Sequence, residues 1–82
     1  MKIRKAHIRI DEKVIENVFV HENKKEEQTL IAIPDLEWST IIPYEEEIQE
    51  CKDRLRTSLA SRVSGEVAEQ LTNKINFWVR EM

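Results

Sequence analysis

The sequence predicts an α+β fold: an antiparallel sheet of three to four strands packed by a C-terminal antiparallel helical hairpin. Three observations point there. As far as Ile42 the apolar residues alternate with polar ones or fall in short β-branched runs, as strands require. From Tyr44 onward they recur every three or four residues, the period of amphipathic helices. One glycine and two prolines in 82 residues leave little chain for irregular loops. A block of strands followed by a block of helices is α+β order. At this length one domain is expected, residues 1–82, with the sheet in 1–42 and the hairpin in 43–82.

The first strand is read in "KIRKAHIRI", where Ala6, Ile8 and Ile10 alternate with Lys5, His7 and Arg9. After a polar break at "DEK", "VIENVFV" continues as a second strand. Unbroken alternation sets Val14, Val18 and Val20 on one face and Ile15 and Phe19 on the other. The charged connection "HENKKEEQ" leads to "TLIAI", apolar on both faces and suited to a central strand. Pro34 and Asp35 in "IPDL" then supply a turn, because Pro34 fixes φ at the first central position. A fourth strand, Leu36 to about Ile42, aligns Leu36, Trp38, Thr40 and Ile42. Alternatively, Trp38 to Thr40 form an irregular approach to the first helix.

Pro43 fits the first helical position, where a missing N–H costs nothing. The first helical stripe runs Tyr44, Ile48, Cys51, Leu55, Leu59 and Val63. Ser64 suits the cap of a second helix, and Gly65 relaxes the turn before it. Val67, Leu71, Ile75, Trp78 and Met82 form the second stripe, flanked by Ala68 and Val79. Burial in this stripe predicts that Trp78→Ala costs about 3–5 kcal/mol. Phe77, one position round the helix, is harder to bury with Trp78 and is expected at the stripe's edge.

Several function classes are disfavoured by composition. No long apolar run suits a membrane span, and charges from Lys2 onward leave no leader-like apolar stretch. A lone cysteine, Cys51, cannot close an internal disulfide, and these features together predict a cytoplasmic protein. Phosphate-loop, dinucleotide and Gly-x-Ser-x-Gly fingerprints all need more than one glycine.

Each chemistry-bearing cluster has a structural explanation. Glu45, Glu46 and Glu47 would complement a helix dipole, and residues about 100° apart on a helix cannot converge on one small ion. Cys51 falls in an apolar stripe, where a thiol is a small inert hydrophobe. His7 and His21 lack zinc spacing and are expected to be exposed strand residues. No catalytic residue, metal ligand or cofactor is therefore nominated, and the expected protein is not an enzyme.

Two surfaces remain. The sheet carries apolar residues on both faces (Ile15 and Phe19, with Ile31 or Leu30), whereas two helices cover one, so Ile15, Phe19 and Trp38 are assigned to a surface for a protein partner or a second copy. Whether Trp38 stands there or under the helices is left open by the pattern. The rival reading is nucleic-acid binding by the basic first strand, through Lys2, Arg4, Lys5 and Arg9. Against it stand the net charge of -3 and the lack of interleaved aromatics to stack on bases.

The strings "MKIRKA", "NVFVHENKKEE", "IAIPDLEWST" and "FWVREM", spread over nearly the full length, resemble the YueH-like family of small uncharacterised Bacillus-type proteins. None of these strings is a motif with a known chemical role. The resemblance implies a small cytoplasmic bacterial protein and carries over no catalytic or binding residue. The function expected is a non-catalytic interaction or regulatory module, with no small-molecule substrate.

Overall fold

The computed structural model describes residues 1–80, so the Met82 end of the second stripe lies outside the described residues. Residues 1–44 and 45–82 form two compact units. The first is a four-stranded antiparallel sheet in the order β1-β2-β3-β4, and the second is a pair of helices.

The strands are β1 (Lys2–Ile10), β2 (Lys13–Asn23), β3 (Gln28–Ile33) and β4 (Trp38–Pro43). Each connection has a local mechanism. Between β1 and β2 a two-residue loop, Asp11–Glu12, follows the pair Ile10–Lys13, with φ 51° at Asp11. Positive φ at the first loop position matches the twist of a tight hairpin. Between β2 and β3, Asn23 Oδ1 accepts from the Glu26 amide at 3.0 Å, and Glu27 closes the turn with φ 54°. Between β3 and β4, Pro34 opens a 3-10 turn (Pro34–Leu36), and the Glu37 amide donates to the Pro34 carbonyl at 3.0 Å. The turn expected at Pro34–Asp35 is thus present, and Trp38 to Thr40 are strand, as the first of the two readings had it.

The register of β1 on β2 shifts between Lys5 and Ile8: Ala6 and His7 together stand opposite Glu16. This is a β-bulge, and His7 takes φ 53° to accommodate it. The inserted residue belongs to β1; on β2, Ile15 opposes Ile8, and both are buried, at 2% and 5% exposed. Beyond the bulge the alternation is regular. Val18, Val20, Thr29, Ile31, Ile33, Trp38 and Ile42 are all buried, and the paired registers place them on one face.

Pro43 ends β4, opposite Gln28, and does not begin a helix. A proline is tolerated at the end of an edge strand because no ladder bond needs its missing N–H. Tyr44 stays with the sheet as well, its amide donating to the Glu27 carbonyl at 2.9 Å.

The second unit comprises α1 (Ile48–Leu59) and α2 (Gly65–Arg80), an antiparallel hairpin. Glu47 is the N-cap of α1: its backbone is extended and its carboxylate accepts from the Glu50 amide at 3.0 Å. Cys51, Leu55 and Leu59 are buried, as their spacing predicts, whereas Ile48 is 50% exposed. Ser64 caps α2, its Oγ accepting from the Val67 amide at 3.3 Å. The buried stripe of α2 is Ala68, Leu71, Thr72, Ile75 and Asn76. Set against the expected stripe, this one is rotated by about one position, which leaves Val67 and Trp78 half-buried. An Arg56–Glu69 ion pair joins the two helices, and Asp53 supports Arg56 from the preceding turn at 3.0 Å.

Candidate functional site

The sheet has a second face, and it is not polar. In an antiparallel pair, directly opposed residues share a face, so the registers identify its members. Ile3 of β1 opposes Phe19 of β2, and Phe19 opposes Ala32 of β3. Two residues along, His21 opposes Leu30, and Leu30 opposes Ile41 of β4. Phe19 and Leu30 are diagonal neighbours, about 7–8 Å apart at this geometry. An apolar diagonal thus crosses all four strands: Ile3, Phe19, Leu30, Ile41.

Ile3 is 54% exposed and Ile41 41%, while Phe19, Leu30 and Ala32 are half-buried. Asn17, Asn23, Gln28 and Ser39 flank the diagonal on the same face, all of them uncharged. Lys5 lies there too, its ammonium donating to Asn17 Oδ1 at 2.6 Å.

Of the three residues assigned to a partner surface from sequence, only Phe19 is partly open on this face. Ile15 is buried, opposite Ile8, and Trp38, at 7% exposed, pairs with fully buried Ile33 on the other face. Between Ile31 and Leu30, which the sequence left open, the register puts Leu30 on this face. Ile3 and Ile41 were missed.

The basic strand does not present one cationic face. Lys2 and Arg4 oppose Val20 and Val18, on the side of the buried residues, whereas Lys5 shares the open face with Ile3. Arg9 opposes Val14 at the far end of the hairpin, beyond the bulge. His7 Nδ1 stands 2.8 Å from Glu16 Oε1, a pairing in which both side chains are solvated.

The glutamate run divides into separate structural roles. Glu47 caps α1, while Glu46 receives a two-pronged bond from Arg54, at 2.9 Å from Nε and 2.8 Å from Nη2. The Arg54 guanidinium holds the Glu46 carboxyl below its ordinary range, and Glu46 in turn raises Arg54. Burial, followed by the nearby Glu46 charge, pushes the Cys51 thiol up and away from the reactive thiolate form. Tyr44 donates its hydroxyl to the Glu22 carboxylate, which pushes the phenol up to about 12. Among the described residues no group of three or more His, Cys, Asp or Glu side chains is placed to hold a metal ion. No helix among them is long and apolar enough to cross a membrane.

Sheet, hairpin and surface together define a small α+β protein with an apolar open sheet face. The chain belongs to the YueH-like family, whose model matches residues 2–81. It is 49% identical over 82 residues, the whole of both chains, to a Bacillus subtilis (strain 168) relative named "Uncharacterized protein YueH". No solved structure matches the chain.

Proposed function

We propose that this protein is a non-catalytic, cytoplasmic interaction module that pairs with a second copy of itself through the open face of its sheet. The observation that carries the reading is the apolar diagonal Ile3–Phe19–Leu30–Ile41, which spans all four strands and remains partly open to solvent. A contiguous apolar surface rimmed by polar groups marks an association site. Its flanks favour a second copy. Asn17, Asn23, Gln28 and Ser39 are neutral, so laying one such face on another stacks few like charges. Nucleic-acid binding through Lys2, Arg4, Lys5 and Arg9 gains no support from a strand that divides these cations between two faces.

Sedimentation equilibrium over a wide concentration range tests the proposal. The natural chain should pass from monomer to dimer, and Ile41→Lys should hold it monomeric with an unchanged far-ultraviolet spectrum. Ile41 is already partly solvated, so its replacement tests the surface without emptying a core position. A natural chain that stays monomeric at every concentration overturns the reading.

A further inference from the structure

The hairpin carries a surface of a different kind. A groove of about 710 Å³ runs along the two helices, lined by Ile48 and Lys52 of α1 and by Asn73, Asn76, Phe77 and Arg80 of α2. The spacing explains the juxtaposition. Ile48 and Lys52 are one turn apart, while Asn73, Asn76 or Phe77, and Arg80 follow i, i+3/i+4, i+7 along one side of α2. Phe77 is 65% exposed and Ile48 50%, so each helix leaves one large apolar side chain in solvent beside the same groove.

Charge identifies the occupant. Among the described residues both charged members of the lining are cations, Lys52 and Arg80, with no carboxylate. The Arg80 guanidinium donates to the Glu46 carbonyl at 3.4 Å, and after Arg54 its charge also helps to hold the Glu46 carboxyl low. A second copy laid face to face on this groove would set cations against cations, which disfavours self-pairing here. A carboxylate-bearing partner meets the opposite situation.

Beneath the surface, Asn76 is more than nine-tenths buried and spends its amide on the Thr72 carbonyl at 3.1 Å. Among the described residues its Oδ1 meets no hydrogen-bond donor, a condition that buried polar groups rarely tolerate. Two helices flanking an apolar trough are the receiving half of helix-in-groove recognition.

We propose that the α1–α2 groove docks an acidic amphipathic helix of a partner protein, its apolar stripe packing on Ile48 and Phe77 and its carboxylates facing Lys52 and Arg80. The surface is distinct from the sheet face, and neither reading depends on the other. The probe is a labelled amphipathic helical peptide with a leucine stripe flanked by glutamates, together with a control in which lysines replace the glutamates. Fluorescence anisotropy should show saturable binding of the glutamate peptide and about tenfold or more weaker binding of the lysine peptide, with the difference shrinking at high salt.

Phe77→Ala and Lys52→Glu, both at positions with solvent access, should each weaken the glutamate peptide about tenfold while leaving the far-ultraviolet spectrum unchanged. Amide shifts in a nuclear magnetic resonance titration should cluster on α1 and α2. The proposal is overturned by equal binding of the two peptides, by binding of neither, or by shifts confined to the sheet. Binding to anionic vesicles with none to the peptide also overturns it.

Discussion

In the sheet half of the chain, four residues other than glycine hold left-handed backbone: His7, Asp11, Glu27 and Glu37, with φ between 50° and 54°. In the helical half the one glycine, Gly65, has no positive φ, and a Cβ added to it would meet nothing within 4 Å. The residue built for strained turns thus sits where none is needed, and residues with side chains occupy three turns and a bulge that would suit it. The contrast shows what holds each half in shape. Strand pairing fixes both sides of the bulge and the ends of every loop in the sheet, so these positions adopt left-handed backbone at about 1–2 kcal/mol per residue. The hairpin relies on local consistency instead: caps at Glu47 and Ser64, and one buried stripe per helix.

If that contrast concerns loops rather than cores, equivalent core truncations should cost the two halves alike. Ile31→Ala in β3 and Leu71→Ala in α2, both at fully buried positions, are each expected to lose about 2–5 kcal/mol in urea unfolding. Trp78→Ala should lose less than Leu71→Ala, on the order of 1–2 kcal/mol, because Trp78 is only half-buried. This lowers the cost expected from the spacing alone. A Trp78 variant as damaged as the Leu71 variant would mean that the stripe of α2 is rotated back towards Val67 and Trp78.

The next test exchanges the two kinds of turn residue. Gly65→Ala should stabilise the protein by about 0.4–1 kcal/mol, since it restricts the unfolded chain and meets no steric obstacle. Glu37→Gly should also stabilise, by up to about 1 kcal/mol, by removing the side chain from a left-handed position. Thermal unfolding of both variants reads the two effects together. A destabilised Glu37→Gly chain would show that the turn between β3 and β4 draws more from the Glu37 side chain than its backbone strain costs.

These results also mark how far the sequence could be read. Alternation in β1, the apolar β3 and the Pro34–Asp35 turn were legible because each is a local preference agreeing with the final register. The bulge at Ala6–His7 was not, since it is decided by which residue of β2 stands opposite. Pro43 was misread because a proline suits the end of an edge strand as well as the start of a helix, and the choice turned on a Tyr44–Glu27 bond across the sheet. The stripe of α2 was rotated by its own polar members: Thr72 and Asn76 are buried, and a search for apolar periodicity passes over both. The open sheet face yielded Phe19 and an open choice of Ile31 or Leu30, and the hairpin groove only the hint that Phe77 would be difficult to bury beside Trp78.

The smallest expected effect bears on where the sheet half ends. Tyr44 is the only tyrosine of the chain, so phenolate absorbance reads this one group. Its hydroxyl bond to Glu22, followed by burial and the Glu22 charge, all favour the neutral phenol and push it up to about 12 from 10.0. A folded-state value above the unfolded one means the bond's contribution is complete below pH 10 and is lost as pH rises through 12. Absorbance titration of the natural chain should therefore have its midpoint near 12, and Glu22→Ala should return it towards the ordinary tyrosine value of about 10. A helix beginning at Pro43 would carry Tyr44 away from β2 and leave the titration indifferent to residue 22. An unshifted midpoint in the natural chain would thus reopen the boundary between strand and helix, while a shift that depends on Glu22 ties Tyr44 to the sheet.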